Sequence, residues 1–187
     1  DAADACTETM ADRVAKVRAG NGFTDGVGVG PLVNEAAVAK VAAQVDDAVA
    51  KGAQALVGGR RLDEGEFAAG HFYAPTLLAG VTPEMVIHSE ETFGPVAPVI
   101  TYDDVDQVLA LANATNYGLA AYVYTNDIST ALRTVEGLHF GIIGVNDVNP
   151  TSASVPFGGM KDSGIGREGA HEGIAEYLET KSVGIAL

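Results

Sequence analysis

Apolar residues along this chain fall either at helical spacing or in short continuous runs. Helical spacing predicts amphipathic helices over residues 2–18, between Asn34 and Gly52, after Asp103 or Asp104, from about Asp127, and near residues 169–178. The apolar stripes of the first four are Cys6, Met10, Val14 and Val17; Val38, Val41, Val45 and Val49; Val105, Val108, Leu109 and Ala112; and Ile128, Leu132 and Val135. Asn34 suits the start of the second helix and Asp103 or Asp104 that of the third, because their side-chain oxygens accept hydrogen bonds from the first free N–H groups.

Short apolar runs between these helices predict strands. They are ALVGG, FYAPTLL, PVAPVITY, Leu119–Tyr124, GIIGVN and the C-terminal SVGIAL. Because strands alternate with helices, we expect an α/β fold with a largely parallel sheet flanked by helices. No repeat or low-complexity linker divides the chain, which indicates one domain.

The composition indicates a globular protein with a strong negative charge. Of the 187 residues, 47% are hydrophobic and 19% are charged, and 25 acidic residues against 11 basic ones give a net charge of −14. This charge repels nucleic acid and anionic membranes, so neither is an expected partner. No apolar run is long enough to span a bilayer, and no charged-then-apolar leader is visible at the start.

One cysteine and four histidines limit the redox and metal chemistry that we expect. Cys6 falls in the apolar stripe of the first predicted helix, so it is expected to be buried as a small hydrophobic side chain. A single cysteine forms no disulfide within the chain and suits the reducing cytoplasm. The histidines are far apart and lack the paired spacing of structural zinc sites, so no metal site is expected.

The string PFGGMKDSGIGREG, residues 156–169, contains G-x-G-x-x-G at Gly164, Gly166 and Gly169. In a dinucleotide-binding turn, this pattern follows a strand directly and opens a helix, with an acidic residue about twenty positions further on. Here the nearest predicted strand before Gly164 ends at Asn146, and the chain has no acidic residue at the required distance. Two interpretations are left open: the glycines permit sharp turns, or the whole string belongs to another kind of site.

The whole string resembles the C-terminal active-site loop of the aldehyde dehydrogenase superfamily, P-F-G-G-x-K-x-S-G-x-G-R-E. Three further stretches resemble motifs of that family in the same order, namely GPLV at 30–33, EETFGP at 90–95 and NYGL at 116–119. GREGAHEGIAEYLETK looks closest to the succinate-semialdehyde dehydrogenases. The resemblance implies oxidation of an aldehyde, with succinate semialdehyde as the expected substrate and NAD or NADP as the cofactor.

The resemblance also implies roles for five residues. Glu91 matches a glutamate that holds the nicotinamide ribose hydroxyls, and Phe93 matches the aromatic residue beside the nicotinamide. Phe157 matches an aromatic residue of the aldehyde tunnel, Thr151 lies where a hydroxyl contacts the distal carboxylate of the substrate, and Glu168 matches a glutamate of a proton relay. From the residues alone, simpler alternatives stay open: a solvated loop carboxylate for Glu91, a helix N-terminal carboxylate for Glu168, packing roles for the two aromatic residues, and a turn-forming hydroxyl for Thr151.

Other parts of the family's machinery are missing from the sequence. The family's nucleophile lies in a G-Q-x-C type of stretch, and the chain has no such stretch; its general base and cofactor-binding domain are missing as well. Arg167 is expected to tie the loop to neighbouring carboxylates.

The chain therefore resembles the C-terminal part of a catalytic domain, residues 1–178, followed by a tail strand, residues 179–187, that subunits exchange in a dimer or tetramer. We expect it to be inactive alone. The alternative is a non-catalytic truncated paralogue or interaction module that pairs through its tail strand.

Overall fold

A computed structural model describes residues 2–187 and divides them into two compact units. Unit 1 extends to Thr101, and unit 2 runs from Tyr102 to Leu187. Asp1, the first residue of the predicted domain 1–178, lies outside the described residues. The sequence indicated one domain because the boundary has no Gly- or Pro-rich linker and lies just before a helix cap at Asp104.

Unit 1 alternates helices with short strands. In chain order its elements are α1 (Ala2–Val14), β1 (Arg18–Ala19), β2 (Val27–Val29), α2 (Glu35–Ala50), β3 (Gln54–Val57), β4 (Arg61–Leu62), β5 (Phe72–Tyr73), β6 (Thr76–Ala79), α3 (Val86–Ser89) and β7 (Val96–Pro98).

The main sheet of unit 1 has the strand order β3-β6-β7. β6 pairs antiparallel with β3 and parallel with β7, so the sheet is mixed. Two smaller ribbons accompany it: β1 pairs parallel with β2, and β4 pairs antiparallel with β5. The link between β4 and β5 includes a 3₁₀ turn at Gly65–Phe67.

Helix α2 forms the centre of the core of unit 1. The Asn34 side chain accepts a hydrogen bond from the Ala37 N–H at 2.9 Å and so caps the helix, as expected. Val38, Val41 and Val45 are at most 1% exposed. They pack in one cluster with buried residues of β5, of β6 and of the segment that follows β6, including Tyr73, Leu78, Val81, Met85 and Ile87.

Unit 2 contains a β-α-β crossover. Its elements are α4 (Val105–Asn113), β8 (Tyr117–Gly118), β9 (Ala120–Val123), α5 (Ile128–Gly137), β10 (Ile142–Val145), β11 (Met160–Lys161) and α6 (Glu172–Ala175). β9 and β10 pair in parallel on either side of α5, while β11 pairs antiparallel with β8. The antiparallel pair holds the glycine-rich loop against the strand that begins at Tyr117.

The α/β class is confirmed, with helices flanking small sheets. Within residues 2–187, three strand pairs are parallel and three are antiparallel, so the pairing is more mixed than the alternation of elements indicated. Every helix in this described part is too short or too polar to cross a bilayer.

Several predicted orientations are wrong. Cys6 is exposed, because the less exposed side of α1 runs through Thr7, Met10 and Val14 and leaves Cys6 about a quarter-turn away. In α5, Ile128 and Leu132 are 71% and 58% exposed, and the buried positions are occupied by Ala131 and Thr134 instead.

Other expected elements are shorter or more exposed than the sequence indicated. β3 lies at the sheet edge with Leu56 43% exposed, and Val49 at the end of α2 is 46% exposed. The last helix is only the four-residue α6. Residues 179–187 are exposed and form no strand within this chain.

Candidate active site

The predicted cofactor residues lie in a loop of unit 1 between α3 and β7. Glu91 and Phe93 both point to solvent, and Phe93 is 79% exposed. The backbone carbonyl of Glu91 accepts a hydrogen bond from Lys40 Nζ at 3.1 Å. Its carboxylate has no hydrogen-bond or salt-bridge partner within residues 2–187, so it is available to a ligand.

The backbone on the C-terminal side of this loop is held tightly. Phe93 has a φ of 48°, in the left-handed region that few residues other than glycine adopt. A Cβ on the next residue, Gly94, would lie 2.5 Å from Cγ2 of the buried Val41, so only glycine fits between the loop and α2. The loop therefore presents the Phe93 ring outward while its backbone rests on the core.

The start of α3, just before the loop, is held by a side chain that the sequence analysis did not single out. Asp47 on α2 accepts the Val86 N–H at 2.8 Å and pairs with Lys51 Nζ at 2.8 Å. These contacts, first that with Lys51 and then that with Val86, lower the pKa of Asp47 below its ordinary value. The missed contact joins residues 39 positions apart, and no local pattern reports it.

The glycine-rich string of unit 2 lines a cavity of about 660 Å³. Phe157 and Glu168 lie on its wall, and their backbones form an isolated antiparallel bridge. The Phe157 N–H donates to the Glu168 carbonyl at 2.8 Å, and the Glu168 N–H donates back at 2.7 Å. The structure therefore brings together two of the predicted site residues by main-chain bonds.

Polar side chains within the string fix its course. Lys161 Nζ donates to the Thr115 carbonyl at 2.8 Å and lies 5.4 Å from the centre of the Phe140 ring. Ser163 Oγ accepts the Gly118 N–H at 2.9 Å. Arg167 Nη1 donates to the carbonyls of Gly159 and Gly166, so the expectation that it pairs with carboxylates is wrong.

The G-x-G-x-x-G pattern is not arranged as a dinucleotide-binding turn. Gly164, Gly166 and Gly169 have φ values of 130°, 83° and 68°, which permit the loop's reversals. The strand before them is the two-residue β11, and the helix after them is only the four-residue α6. The three glycines allow the chain to reverse direction, and they do not present a helix N-terminus to a pyrophosphate.

Thr151 lies on the other side of Phe157. Both residues line a smaller cavity of about 120 Å³ that also contacts β10. The Thr151 hydroxyl is exposed and donates to Asn149 Oδ1 at 2.7 Å, while the neighbouring Ser152 and Ser154 hydroxyls bond to each other at 3.0 Å. Phe157 is thus the common wall of two cavities, with a hydroxyl on one side and a carboxylate on the other.

Known proteins resemble the chain over nearly its whole length. The pattern of the aldehyde dehydrogenase family matches residues 1–183. An aspartate-semialdehyde dehydrogenase (non-phosphorylating) of Halomonas elongata is 49% identical over 95% of this chain and 35% of its own length. A mitochondrial succinate-semialdehyde dehydrogenase of Mus musculus is 51% identical over 89% of this chain and 31% of its own length.

A solved structure agrees with both the fold and the family. A betaine aldehyde dehydrogenase of Staphylococcus aureus in complex with NAD+ superposes with a TM-score of 0.89 at 39% identity, over 95% of this chain and 35% of that one. The chain thus spans about a third of the length of the relatives it matches. With the family pattern matching all but its last four residues, the chain belongs to the aldehyde dehydrogenase family.

Proposed function

We propose that this chain forms the C-terminal part of an NAD(P)-dependent aldehyde dehydrogenase that oxidises succinate semialdehyde to succinate. The observation that carries the proposal is the position of Phe157, which lines both cavities of unit 2 between Thr151 and Glu168. An aromatic wall suits the apolar chain of the aldehyde, and the polar groups on either side suit its two ends.

The loop at Glu91 and Phe93 fits a nicotinamide cofactor. The unpaired Glu91 carboxylate can accept hydrogen bonds from two ribose hydroxyls, since it offers two acceptor oxygens. The exposed Phe93 ring can pack beside the nicotinamide and limit where it lies. NAD+ or NADP+, when bound, supplies the hydride acceptor, and the residues of this chain orient it.

Thr151 is the proposed contact for the distal carboxylate of the substrate. A hydroxyl has one proton to donate, so binding requires the Thr151 hydroxyl to turn from Asn149 toward the carboxylate. Relatives named for semialdehydes that end in a carboxylate, those of aspartate and succinate, support this choice of substrate. An apolar residue here leaves that carboxylate without a donor.

Glu168 is the proposed proton-relay group. Its backbone is fixed to Phe157 by two hydrogen bonds, whereas its side chain is exposed at the cavity wall. A carboxylate in this place can accept, through water, the proton that a general base supplied by the rest of the protein has taken up, and release it to solvent.

The chain alone is proposed to be inactive. Its one cysteine, Cys6, lies on α1 and outside any G-Q-x-C stretch. The test is to mix the purified chain with succinate semialdehyde and NAD+ or NADP+ and follow reduced nicotinamide. Turnover by the isolated chain would show that its own residues supply a nucleophile and would overturn this assignment.

A chimera tests the positive part of the proposal. The first two thirds of the mouse relative are joined to this chain, and kcat/KM is measured with succinate semialdehyde. Thr151→Val is expected to lower kcat/KM by about tenfold or more through the lost hydrogen bond to a charged group. Thr151→Ser keeps the hydroxyl and should retain most activity; equal losses in both variants would contradict the role of the hydroxyl.

A second candidate function is supported by the exposed tail. The apolar residues Val183, Ile185 and Leu187 in residues 179–187 are exposed. An extended apolar segment with free backbone groups can add to the edge of a sheet in another copy. We propose that the tail pairs copies of the chain, whether or not the assembled protein is catalytic.

A further inference from the structure

One face of α2 holds the segment between β6 and the cofactor loop. Lys40 and Asp47 on α2, and Lys51 just past its last residue, recur at intervals of seven and four residues, so they lie on one side. Each of them contacts residues 84–91 through a hydrogen bond. The apolar face of the same helix is buried in the core of unit 1, so the helix that carries Lys40 and Asp47 is fixed in place.

Asp47 supplies a cap that α3 lacks in its own sequence. The residue before α3 is Met85, whose side chain makes no capping bond. The first N–H groups of a helix have no partner within the helix and need an outside acceptor. Asp47 Oδ2 accepts the Val86 N–H at 2.8 Å, and Val86 in turn accepts the Glu90 N–H at 3.0 Å.

Lys51 holds the Asp47 carboxylate in place. Its Nζ lies 2.8 Å from Asp47 Oδ1 and donates to the Glu84 carbonyl at 2.7 Å. Asp47 and Lys51 therefore bind the backbone on both sides of Met85, a residue that is 1% exposed. With Glu91 fixed by Lys40 and Gly94 fixed against Val41, the loop is held at both ends.

We propose that Asp47, held by Lys51, is a positioning residue for the loop that presents Glu91 and Phe93. This inference rests on the proposed cofactor role of those two residues. Asp47 acts at a distance from any ligand: it fixes the start of α3, and α3 fixes the direction in which the loop leaves the core.

The test compares Asp47→Ala with Asp46→Ala in the 187-residue chain. Asp46 is the adjacent residue of α2, is exposed, and makes no hydrogen bond to residues 84–91, so it controls for the lost charge and for helix propensity. The chain is labelled with 4-fluorophenylalanine, and the Phe93 signal is identified with Phe93→Tyr. Hydrogen exchange is followed at residues 86–94 and in β6.

Asp47→Ala is expected to raise exchange at residues 86–94 by about tenfold, the effect of one lost hydrogen bond, and to shift the Phe93 fluorine signal. The rate of hydrogen exchange in β6 should be the same in Asp47→Ala and in Asp46→Ala. Equal behaviour of the two variants at residues 86–94, or an equal rise in β6, overturns the proposal. If Asp47→Ala does not fold, the same measurements are made on Lys51→Met. Unchanged hydrogen exchange at residues 86–94 in that variant also overturns the proposal.

Kinetics of the chimera distinguish the positioning role of Asp47 from the cofactor-binding role of Glu91 and Phe93. Asp47→Ala is expected to raise KM for NAD+ or NADP+ about tenfold and to change KM for the aldehyde less. A loop that loosens without any change in cofactor KM would count against the role of Glu91 and Phe93 and leave the positioning role standing. An unchanged loop counts against Asp47 alone.

Discussion

Phe93 combines an exposed ring with a backbone in the left-handed region. A backbone φ of 48° costs a residue with a Cβ about 1–2 kcal/mol of folding free energy. Because Phe93 is 79% exposed, the burial of its ring offsets little of this cost. Such strain persists only where the surroundings determine the conformation. Here those surroundings are Gly94 against Val41 and the Glu91 carbonyl on Lys40.

The strain predicts an unusual order of stability for substitutions of Phe93. Phe93→Gly is expected to unfold at a higher temperature than Phe93→Ala, by the equivalent of about 1 kcal/mol, because glycine adopts a positive φ without a Cβ penalty. Thermal unfolding of the two variants checks this. Phe157 is the control because its φ is not positive: Phe157→Ala should be at least as stable as Phe157→Gly. If the glycine variant were the more stable one at both positions, or at neither, the strain at Phe93 would be contradicted.

Three helices begin with a side-chain cap; the sequence predicts the cap at Asn34, leaves the second between Asp103 and Asp104, and places the third helix start at about Asp127. Asn34 caps α2, Asp104 caps α4 and Asp127 caps α5, each through a hydrogen bond to an N–H three residues on. Capping is local chemistry, so it is visible in a single sequence.

The capping of α5 predicts an acid-sensitive contribution to stability. The hydrogen bonds of the Thr130 hydroxyl and N–H lower the pKa of Asp127 below its ordinary value of 3.8. Because the folded pKa is below the unfolded one, the contribution is present above about pH 4 and is lost as the pH falls through the folded pKa. Asp127→Ala should therefore lower the unfolding temperature at neutral pH, with the gap to the original chain closing in acid.

Thermal unfolding of both chains over a series of pH values measures this gap. Asp12→Ala, on the exposed side of α1, is the matched control and should show a smaller gap at neutral pH. A gap at Asp127 that stays constant down to pH values well below 4 would contradict the capping account.

The direction in which each helix faces was harder to predict than its start. The α4 stripe is half-buried as expected, whereas Ile128 and Leu132 of α5 face solvent. Apolar spacing shows that a stripe exists, but burial depends on which element packs against it. The same limit applies to the site: motif resemblance makes Glu91 and Phe157 candidate site residues, while the Asp47–Val86 contact depends on packing between distant segments.

At the scale of the whole molecule, the chain forms two compact units and an exposed tail. The predicted site residues are distributed between the units, with Glu91 and Phe93 in the first and Thr151, Phe157 and Glu168 in the second. The sequence indicated one domain since composition does not change at Thr101. Units of this kind are defined by contacts between distant residues, which composition does not report.

Removal of residues 179–187 separates the role of the tail from the stability of the units. The tail is exposed and forms no strand within the chain, so its deletion should leave the unfolding temperature unchanged. Sedimentation is expected to show a larger species for the full chain and a monomer for the shortened one. Equal masses would contradict pairing through the tail, and a large drop in unfolding temperature would contradict its independence.

The bridge between Phe157 and Glu168 has a consequence for the order of folding. The two residues are close in the sequence, whereas the Lys161–Thr115 and Ser163–Gly118 bonds join residues 46 and 45 positions apart. Closing a short loop costs less chain entropy and occurs faster than closing a long one. We therefore expect the aromatic and acidic parts of the cavity wall to meet early in folding, before the segment that bears them docks on the strand at Tyr117.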